Sequence, residues 1–520
     1  MSTDRPDEAS RASLWVASTA PPSYERLAGD LEVDVAIIGG GIVGVTAAQL
    51  LQRAGRRVAV LEALRVGAQA TGGSTAKVTS QHALIYRSLV DTFGATTARR
   101  YGEANEWALR DILERIEAMG VHCSLERFPA YTFSIDEGRR DDLEQEAEVA
   151  ARLGLPARYV TEVPLPFATA GAVVFDGQAQ FDPVPYVHAL ANSARADGAR
   201  IFEDARVTDL EERGERSVLT TEHGTVTARD VIVATALPCF DDGSYYRHAQ
   251  PGAHLVIAAR VEGDRPDGMF ISIDDPTRSL RWVERDGVTW MLLVGPRFAP
   301  GDHDTTEGFA DLDRFAREHF DVRSIDYRWW NEDYYPVDLL PYVGRMNKDT
   351  AHTYVATGFG GWGITNGHIA AHILADAILG QPNEWAAVFD STRESKETDS
   401  SPLASAGRMI SAGVSTVRYA AARLVPVSAG DVEALQPGEA DVIDLDGERV
   451  AVARDREGAL HAVSALCSHM GCELGWNESM ETWDCPCHGS CFDIDGGVLR
   501  GPAVQPLESK QSAIDQRARP

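Results

Sequence analysis

Residues 34–44 read DVAIIGGGIVG, and residues 58–63 read VAVLEA. An apolar run of strand length enters a glycine turn, the turn opens a helical segment, and the next apolar strand closes on Glu62. Each glycine has its own task. Gly39 permits the tight turn, Gly41 (followed by Ile42) lets the backbone approach a pyrophosphate, and Gly44 lets helix and strand pack closely. The pyrophosphate would rest on the helix N-terminus, where unpaired N–H groups and the helix dipole favour an anion. Glu62 stands 18 residues beyond Gly44, the place of the acidic side chain that binds ribose hydroxyls. Strand, turn, helix and acid are in register, so the segment predicts a dinucleotide site in an α/β domain. The glycine spacing does not decide between FAD and NAD.

Working outward, amphipathic segments such as 96–119 and 137–153 alternate with apolar runs at 231–236, 254–259, 290–294 and 353–357. Interleaved helices and strands predict an α/β domain carrying an inserted antiparallel sheet. From residue 391 the polar, small-residue stretch STRESKETDSSPLASAG reads as a linker. Residues 405–425 place Met409, Ile410, Val414, Val417 and Ala421 on one side of a helix, interrupted by Arg408, Arg418 and Arg423. The segment is too short and too charged to span a bilayer and reads as a docking helix against the first domain. From 440 onward the short alternating runs ADVIDL, RVAVARD and LHAVSAL predict a small all-β domain. The expected divisions are 30–390, a linker and docking helix over 391–428, and 429–510.

Of 520 residues, 44% are hydrophobic and 24% charged, and 49 basic against 78 acidic side chains give a net charge of −29. So acidic a surface repels nucleic acid and anionic lipid, and points to a small molecule or a basic protein as partner. No uninterrupted apolar run approaches the length of a membrane helix. The polar N-terminus resembles neither a secretory signal nor a transit peptide, so a cytoplasmic enzyme is the expectation.

The seven cysteines are unevenly spread. Cys123 and Cys239 stand alone and read as buried small hydrophobes. Cys467, Cys472, Cys485, Cys487 and Cys491 cluster in CSHMGC (467–472) and CPCHGSCF (485–492). Two short loops thus each offer a thiolate and an imidazole, Cys467 with His469 and Cys485 with His488. Two thiolates suit a ferric iron, and two neutral nitrogens on a second iron raise the reduction potential by making that end less anionic. Zinc also takes Cys₂His₂ sets. Against zinc stand the spacing, which is not that of a finger helix, the extra cysteine after each ligand pair, and the downstream loop Gly501-Pro502-Ala503.

Over roughly residues 430–508 these strings resemble the Rieske family closely. The resemblance implies a 2Fe–2S cluster with Cys467 and Cys485 on the inner iron and His469 and His488 on the exposed one. It implies a disulfide between Cys472 and Cys487 bracing the two loops, and a bond from the Ser490 hydroxyl to a cluster sulfide. Phe492 stands where the highest-potential members carry tyrosine, which implies a lower potential. Cys491 is expected to be a non-ligand.

Residues 67–79 (GAQATGGSTAKVT), 231–236 (VIVATA) and 354–367 (YVATGFGGWGITNG) resemble the flavin-contacting segments of the D-amino-acid oxidase and glycine oxidase group, over about 30–390. The resemblance implies FAD in a Rossmann-type, glutathione-reductase-like domain. Thr71, Gly72, Ser74, Thr75, Ala76 and Lys77 would run along the isoalloxazine. Gly360, Gly361, Trp362, Gly363, Ile364 and Thr365 would offer backbone donors near its N1–C2 carbonyl edge. Val207 would touch the adenine, and Ala234 and Thr235 belong to the segment 231–236. Such donors stabilise an anionic reduced flavin. The two domains together resemble a bacterial family of FAD-dependent oxidoreductases with a C-terminal Rieske domain.

The expected activity is oxidation of an amine or amino acid by hydride transfer to the flavin, with electrons leaving through the cluster to a one-electron acceptor protein. The alternative is a reductase component delivering electrons to a partner enzyme, which would need a nicotinamide donor. A Rieske oxygenase would need a two-histidine, one-carboxylate iron site in a following domain, and few residues follow His488. Tyr334, Tyr335 and Arg281 are plausible substrate contacts. Lys77 and His82 read as residues that order the flavin loop, and His368 with His372 as a chance pairing on a helix. No catalytic side chain is identifiable from the sequence.

Overall fold

The computed structural model describes residues 10–396 and 432–517 apart from 242, 302–304 and 433. The expected helix over 405–425 and the linker beyond 396 lie outside the described residues. The chain divides into two compact units, and the first ends at residue 397. Pro251–Ala253 and Phe298–Gly308 group with the second.

A six-stranded sheet organises the first unit, in the order Arg200–Phe202, Val58–Leu61, Val35–Ile38, Asp230–Val233, Thr353–Thr357, Tyr342–Arg345. The first five strands are parallel and the last is antiparallel to its neighbour. Val35–Ile38, Val58–Leu61 and Asp230–Val233 are buried at every position. Strands covered on both faces have no polar side to show, which is why their sequences run apolar without alternation. Helix Ile42–Arg53 returns from the glycine turn and packs beside helix Gly363–Leu379. A Cβ on Gly367 would lie 3.1 Å from Ile42 Cγ2 and 3.2 Å from Val43 Cγ2, so the two helices pack closely there.

The apolar run 231–236 is a strand only to Val233. Ala234 N still donates to Ile38 O at 2.9 Å, and the chain then leaves the sheet with Ala236 at φ 66°. The cause is the neighbouring turn: a Cβ on Gly39 would stand 2.5 Å from Ala234 O. Two turns pressed together leave no room for further ladder.

The expected inserted sheet has eight strands, in the order Asp321–Pro336, Ala249–Glu262, Val288–Phe298, Ser279–Arg285, Met269–Ser272, Ala130–Ser134, Gly171–Phe175, Ala157–Val160. From Val288–Phe298 onward its pairings are antiparallel except that between Met269–Ser272 and Ala130–Ser134. Helices Ala95–Met119 and Arg140–Arg152 occupy the long amphipathic segments. Cys123 is buried, whereas Cys239 is only half-buried.

The second unit is small and mostly β. Ala440–Leu445, Glu448–Arg454 and Leu460–Ser464 form an antiparallel meander, and Gly475–Asn477, Thr482–Asp484, Cys491–Phe492 and Val498–Arg500 form another. Its core includes Ala451, Val463, Leu474, Trp483 and Phe492, together with the thiols of Cys467 and Cys485. Among the described residues no helix is long and apolar enough to cross a membrane.

Candidate functional site

The glycine turn is built as its sequence requires. Gly39 has φ 108°, and a Cβ on Gly44 would lie 1.9 Å from Gly39 O, inside contact distance. Helix Ile42–Arg53 therefore begins hard against the turn. Ile42 N donates to Thr71 Oγ1 at 3.2 Å. The N–H groups of Val43 and Gly44, in the first helical turn, have no intrahelical acceptor and point to where an anion would sit. Glu62 accepts from Gly40 N at 2.7 Å and from Leu64 N at 2.8 Å. Burial raises its carboxyl above the usual range, and these two N–H donors oppose that. A carboxylate has about four lone-pair sites, so both oxygens can still accept hydroxyl groups. Thr235 lies beside Gly39, and Val207 is buried at the start of strand Val207–Arg213. A glycine cradle, open helical N–H groups and a buried acid are what FAD's diphosphate and ribose need.

The segment Thr71–Lys77 is held by donors from distant parts of the chain. Ser13 Oγ donates to Gly72 O at 2.6 Å, Trp329 Nε1 to Gly73 O at 2.9 Å, and Trp15 Nε1 to Ser74 O at 2.8 Å. A Cβ on Gly73 would fall 2.4 Å from Asn331 Oδ1, so the Asn331 side chain packs directly against this glycine. Lys77 reaches to the eight-stranded sheet, donating to Phe270 O at 2.8 Å and Ser279 Oγ at 2.5 Å. Both acceptors are neutral. Burial, with the Arg281 charge added, lowers the lysine to about 7. Because the unfolded chain then binds more protons between pH 7 and the usual lysine range, wild-type stability should rise with pH across that window. Below pH 7 the lysine is charged in both states and the full cost of burying it remains. A K77M variant should lack this slope in thermal unfolding measured from pH 6 to 10.

His82 does what the sequence suggests: it orders the loops. Nδ1 lies 2.6 Å from Tyr101 Oη, Nε2 lies 2.9 Å from Thr79 O, and the ring stacks on Trp362 at 4.6 Å. The stretch Gly360–Thr365 divides its donors differently from the expectation. Gly360 N donates to Tyr334 O at 2.9 Å and Gly361 N to Asp333 Oδ2 at 2.7 Å. Those two amides are spent inside the protein. The donors left for a flavin carbonyl are the first-turn N–H groups of helix Gly363–Leu379, on Gly363, Ile364 and Thr365. Asp333 itself is raised to about 6 by burial.

In the second unit two loops of matching form converge. Gly471 N donates to Cys467 O and Gly489 N to Cys485 O, both at 2.9 Å, and both glycines have positive φ. Cys472 and Cys487 are joined by a disulfide across the loops. The thiols of Cys467 and Cys485 hydrogen-bond each other, and the Ser490 hydroxyl hydrogen-bonds Cys467. The Cys485 thiol, followed by backbone N–H groups and Ser490, pulls the Cys467 thiol below the usual thiol range despite its burial. The rings of His469 and His488 stand 5.0 Å apart at 88°. Nδ1 of His469 is shielded from solvent with no hydrogen-bond partner among the described residues, and Nδ1 of His488 is shielded too. A buried ring nitrogen without a protein partner, such as His469 Nδ1, fits a metal donor. Cys472, Cys485 and Cys487 also lie within ligand reach of one another, but the disulfide removes two of them. Two thiolates, two imidazoles and a hydroxyl donor suit a 2Fe–2S cluster. Replacing Cys472 and Cys487 together by serine should destabilise this unit by about 3 kcal/mol, the chain-entropy cost for their separation of 15 residues, seen as an earlier denaturation midpoint of the cluster's visible bands.

Comparison with known proteins agrees with this geometry. Residues 34–377 match the family model for FAD dependent oxidoreductases, and residues 425–511 match that for the Rieske [2Fe-2S] domain. The chain belongs to the FAD dependent oxidoreductase family. It is 33% identical over 511 residues to the Rieske 2Fe-2S iron-sulfur protein YhfW of Bacillus subtilis, covering 97% of this chain and 98% of that protein. It is 23% identical to gamma-glutamylputrescine oxidoreductase of Escherichia coli, over 70% of this chain and 87% of the relative. Its fold resembles glycine oxidase from Geobacillus kaustophilus with a TM-score of 0.57 at 21% identity, covering 70% of this chain and 99% of that one.

Within this FAD-dependent oxidoreductase, Arg281 is not placed as a substrate contact. It is fully buried, donates through Nη1 to the carbonyls of Thr75, Ala76 and Phe181, and lies 5.1 Å over the Trp15 ring. It clamps the segment Thr71–Lys77 to the sheet. Arg281→Leu strands three buried carbonyls and should cost about 3 kcal/mol, measurable by chemical denaturation. Tyr334 is buried in the core, while Tyr335 lines the glycine loop. His368 Nε2 binds Asp111 at 2.6 Å, and Arg115 Nε donates to the same oxygen at 2.5 Å, so a guanidinium already balances that carboxylate. His254, Asp333 and Arg297, all close to Tyr335, escaped the sequence reading: each comes from a different strand of the eight-stranded sheet and none sits in a motif.

Proposed function

We propose that the chain oxidises the C–N bond of an amine or amino acid, and passes the electrons singly through the Rieske cluster to an external acceptor protein. The support is that one chain carries both a complete flavin cradle and a complete cluster site, while only one dinucleotide turn is found among the described residues. A nicotinamide donor for the reverse flow has no second fold to bind it there. The names of the relatives, an oxidoreductase of gamma-glutamylputrescine and a glycine oxidase, point to amine substrates.

When bound, the flavin supplies a two-electron acceptor and the cluster a one-electron outlet. The protein's part is electrostatic and geometric. The first turn of helix Gly363–Leu379 directs N–H groups and the positive end of its dipole at the site where negative charge would gather. The His82–Trp362 stack and the Arg281 clamp hold the two flavin-facing stretches at a fixed spacing. Anaerobic addition of glycine, L-proline and γ-glutamylputrescine should bleach the flavin, and turnover with ferricyanide should exceed turnover with oxygen. Oxygen turnover equal to ferricyanide turnover would defeat the proposal. Rapid bleaching by NADH would make the chain a reductase component instead.

A further inference from the structure

Resting on the amine-oxidation reading above, we infer that Tyr335 is the hydrogen-bond acceptor for the substrate nitrogen, and that His254 makes it one. The two residues sit on adjacent strands, Asp321–Pro336 and Ala249–Glu262, and Gly295 lies on the next, Val288–Phe298. His254 Nδ1 is 3.0 Å from Gly295 O, and Nε2 is 2.7 Å from Tyr335 Oη. A carbonyl oxygen can only accept, so Nδ1 must carry the ring proton. Burial first, then the Arg297 charge, pull His254 down to about 4, so the ring is neutral at pH 7 and Nε2 offers only a lone pair. At this distance the phenol must donate to it. The Tyr335 proton is thereby committed, and Oη turns lone pairs outward.

What Oη faces is the glycine loop: a Cβ on Gly361 would lie 3.4 Å from it. The charged neighbours do not take up those lone pairs. Arg297 stacks its guanidinium on the Tyr335 ring at 4.4 Å to the centroid, and Asp333, itself an acceptor, is occupied by the amides of Tyr334 and Gly361. A group docking beside Gly361 on this face of the sheet would meet an acceptor, and an amine N–H is the donor that answers it. Holding N–H on Oη leaves the nitrogen lone pair free to form the C=N bond as the adjacent carbon's C–H gives up hydride. Tyr335 is then a substrate contact and His254 the residue that positions it.

The holoenzyme tests this. For each amine that bleaches the wild-type flavin, Y335F should raise the half-saturating concentration about five- to tenfold, with little change in the limiting bleaching rate. H254F should do the same, because it frees the phenolic proton to turn outward. Independently of any substrate, ¹⁵N-histidine spectra of the wild type should show His254 as the Nδ1–H tautomer, with an Nε2 resonance that moves in Y335F. A wild type that is bleached together with an unaltered Y335F overturns this inference alone, as does an Nε2–H tautomer. If none of glycine, L-proline and γ-glutamylputrescine bleaches the wild type, the amine reading falls and takes the inference with it.

Discussion

C467S is expected to lose the visible iron–sulfur bands and nearly all turnover with a one-electron acceptor, while substrate still bleaches its flavin anaerobically at the wild-type rate. Cys467 is buried, hydrogen-bonded to Cys485 and Ser490, and anchored through its own carbonyl and N–H to the loop that carries His469. A serine hydroxyl at this position does not ionise near neutrality and is a poor ligand for ferric iron, so the loss should exceed the roughly 10- to 100-fold that removing a ligand's supporting partner costs. The stretches Thr71–Lys77 and Gly363–Thr365, expected to face the flavin, belong to the other compact unit, so their geometry should survive. C491S is the matched control. Its thiol is buried and hydrogen-bonded to Asp484 and does not enter the ligand set, so the bands should remain. Acceptor turnover of C467S at the wild-type level would mean the cluster is not the outlet.

G44A should purify without flavin, or bind FAD roughly 10- to 100-fold more weakly, the equivalent of the 1–3 kcal/mol that overpacking costs. The added Cβ would meet Gly39 O at 1.9 Å, Gly39 C at 3.1 Å and Ile37 Cγ2 at 3.3 Å. The first two are backbone, and a backbone carbonyl cannot rotate out of the way as a side chain can. Helix Ile42–Arg53 would have to lift off the turn, carrying its N-terminal donors with it. G367A gives the contrast. Its Cβ would meet only the side-chain methyl carbons of Ile42 and Val43 at 3.1 and 3.2 Å, which can give by a few tenths of an ångström, so its FAD affinity should fall less. Titration of the apoprotein with FAD, followed by flavin fluorescence, separates the two. The cluster bands of G44A should be normal, and full flavin content in G44A would refute the close-packing argument.

The parts of this protein that the sequence makes legible are those where one short stretch does the whole job. The turn Gly39–Gly44 shapes a diphosphate cradle from consecutive residues, and each cluster loop offers its thiol and imidazole within four positions. The need for a strand before and a helix after is met by neighbours in the chain, so pattern and structure coincide. The expectation weakens where a residue's role depends on what lies across a sheet. Gly360 and Gly361 resemble flavin donors in their loop, yet Tyr334 O and Asp333 take their amides. VIVATA reads as six residues of strand, yet the turn at Gly39 ends it at Val233.

Arg281 shows why. Its residue type suits a substrate carboxylate, but strand register brings it under Thr75 and Ala76, more than 200 positions away, and burial leaves it only carbonyls to bind. The Tyr335–His254–Gly295 chain of hydrogen bonds likewise exists only because three strands lie side by side in an order that no spacing announces. By itself the sequence determined the two cofactors and the α/β-plus-small-β architecture, since these follow from local backbone and ligand geometry. Only the tertiary structure decided which side chains hold the segment Thr71–Lys77 and which pair with one another across the sheet, because a polar group's role is set by the partners that long-range packing leaves within its reach.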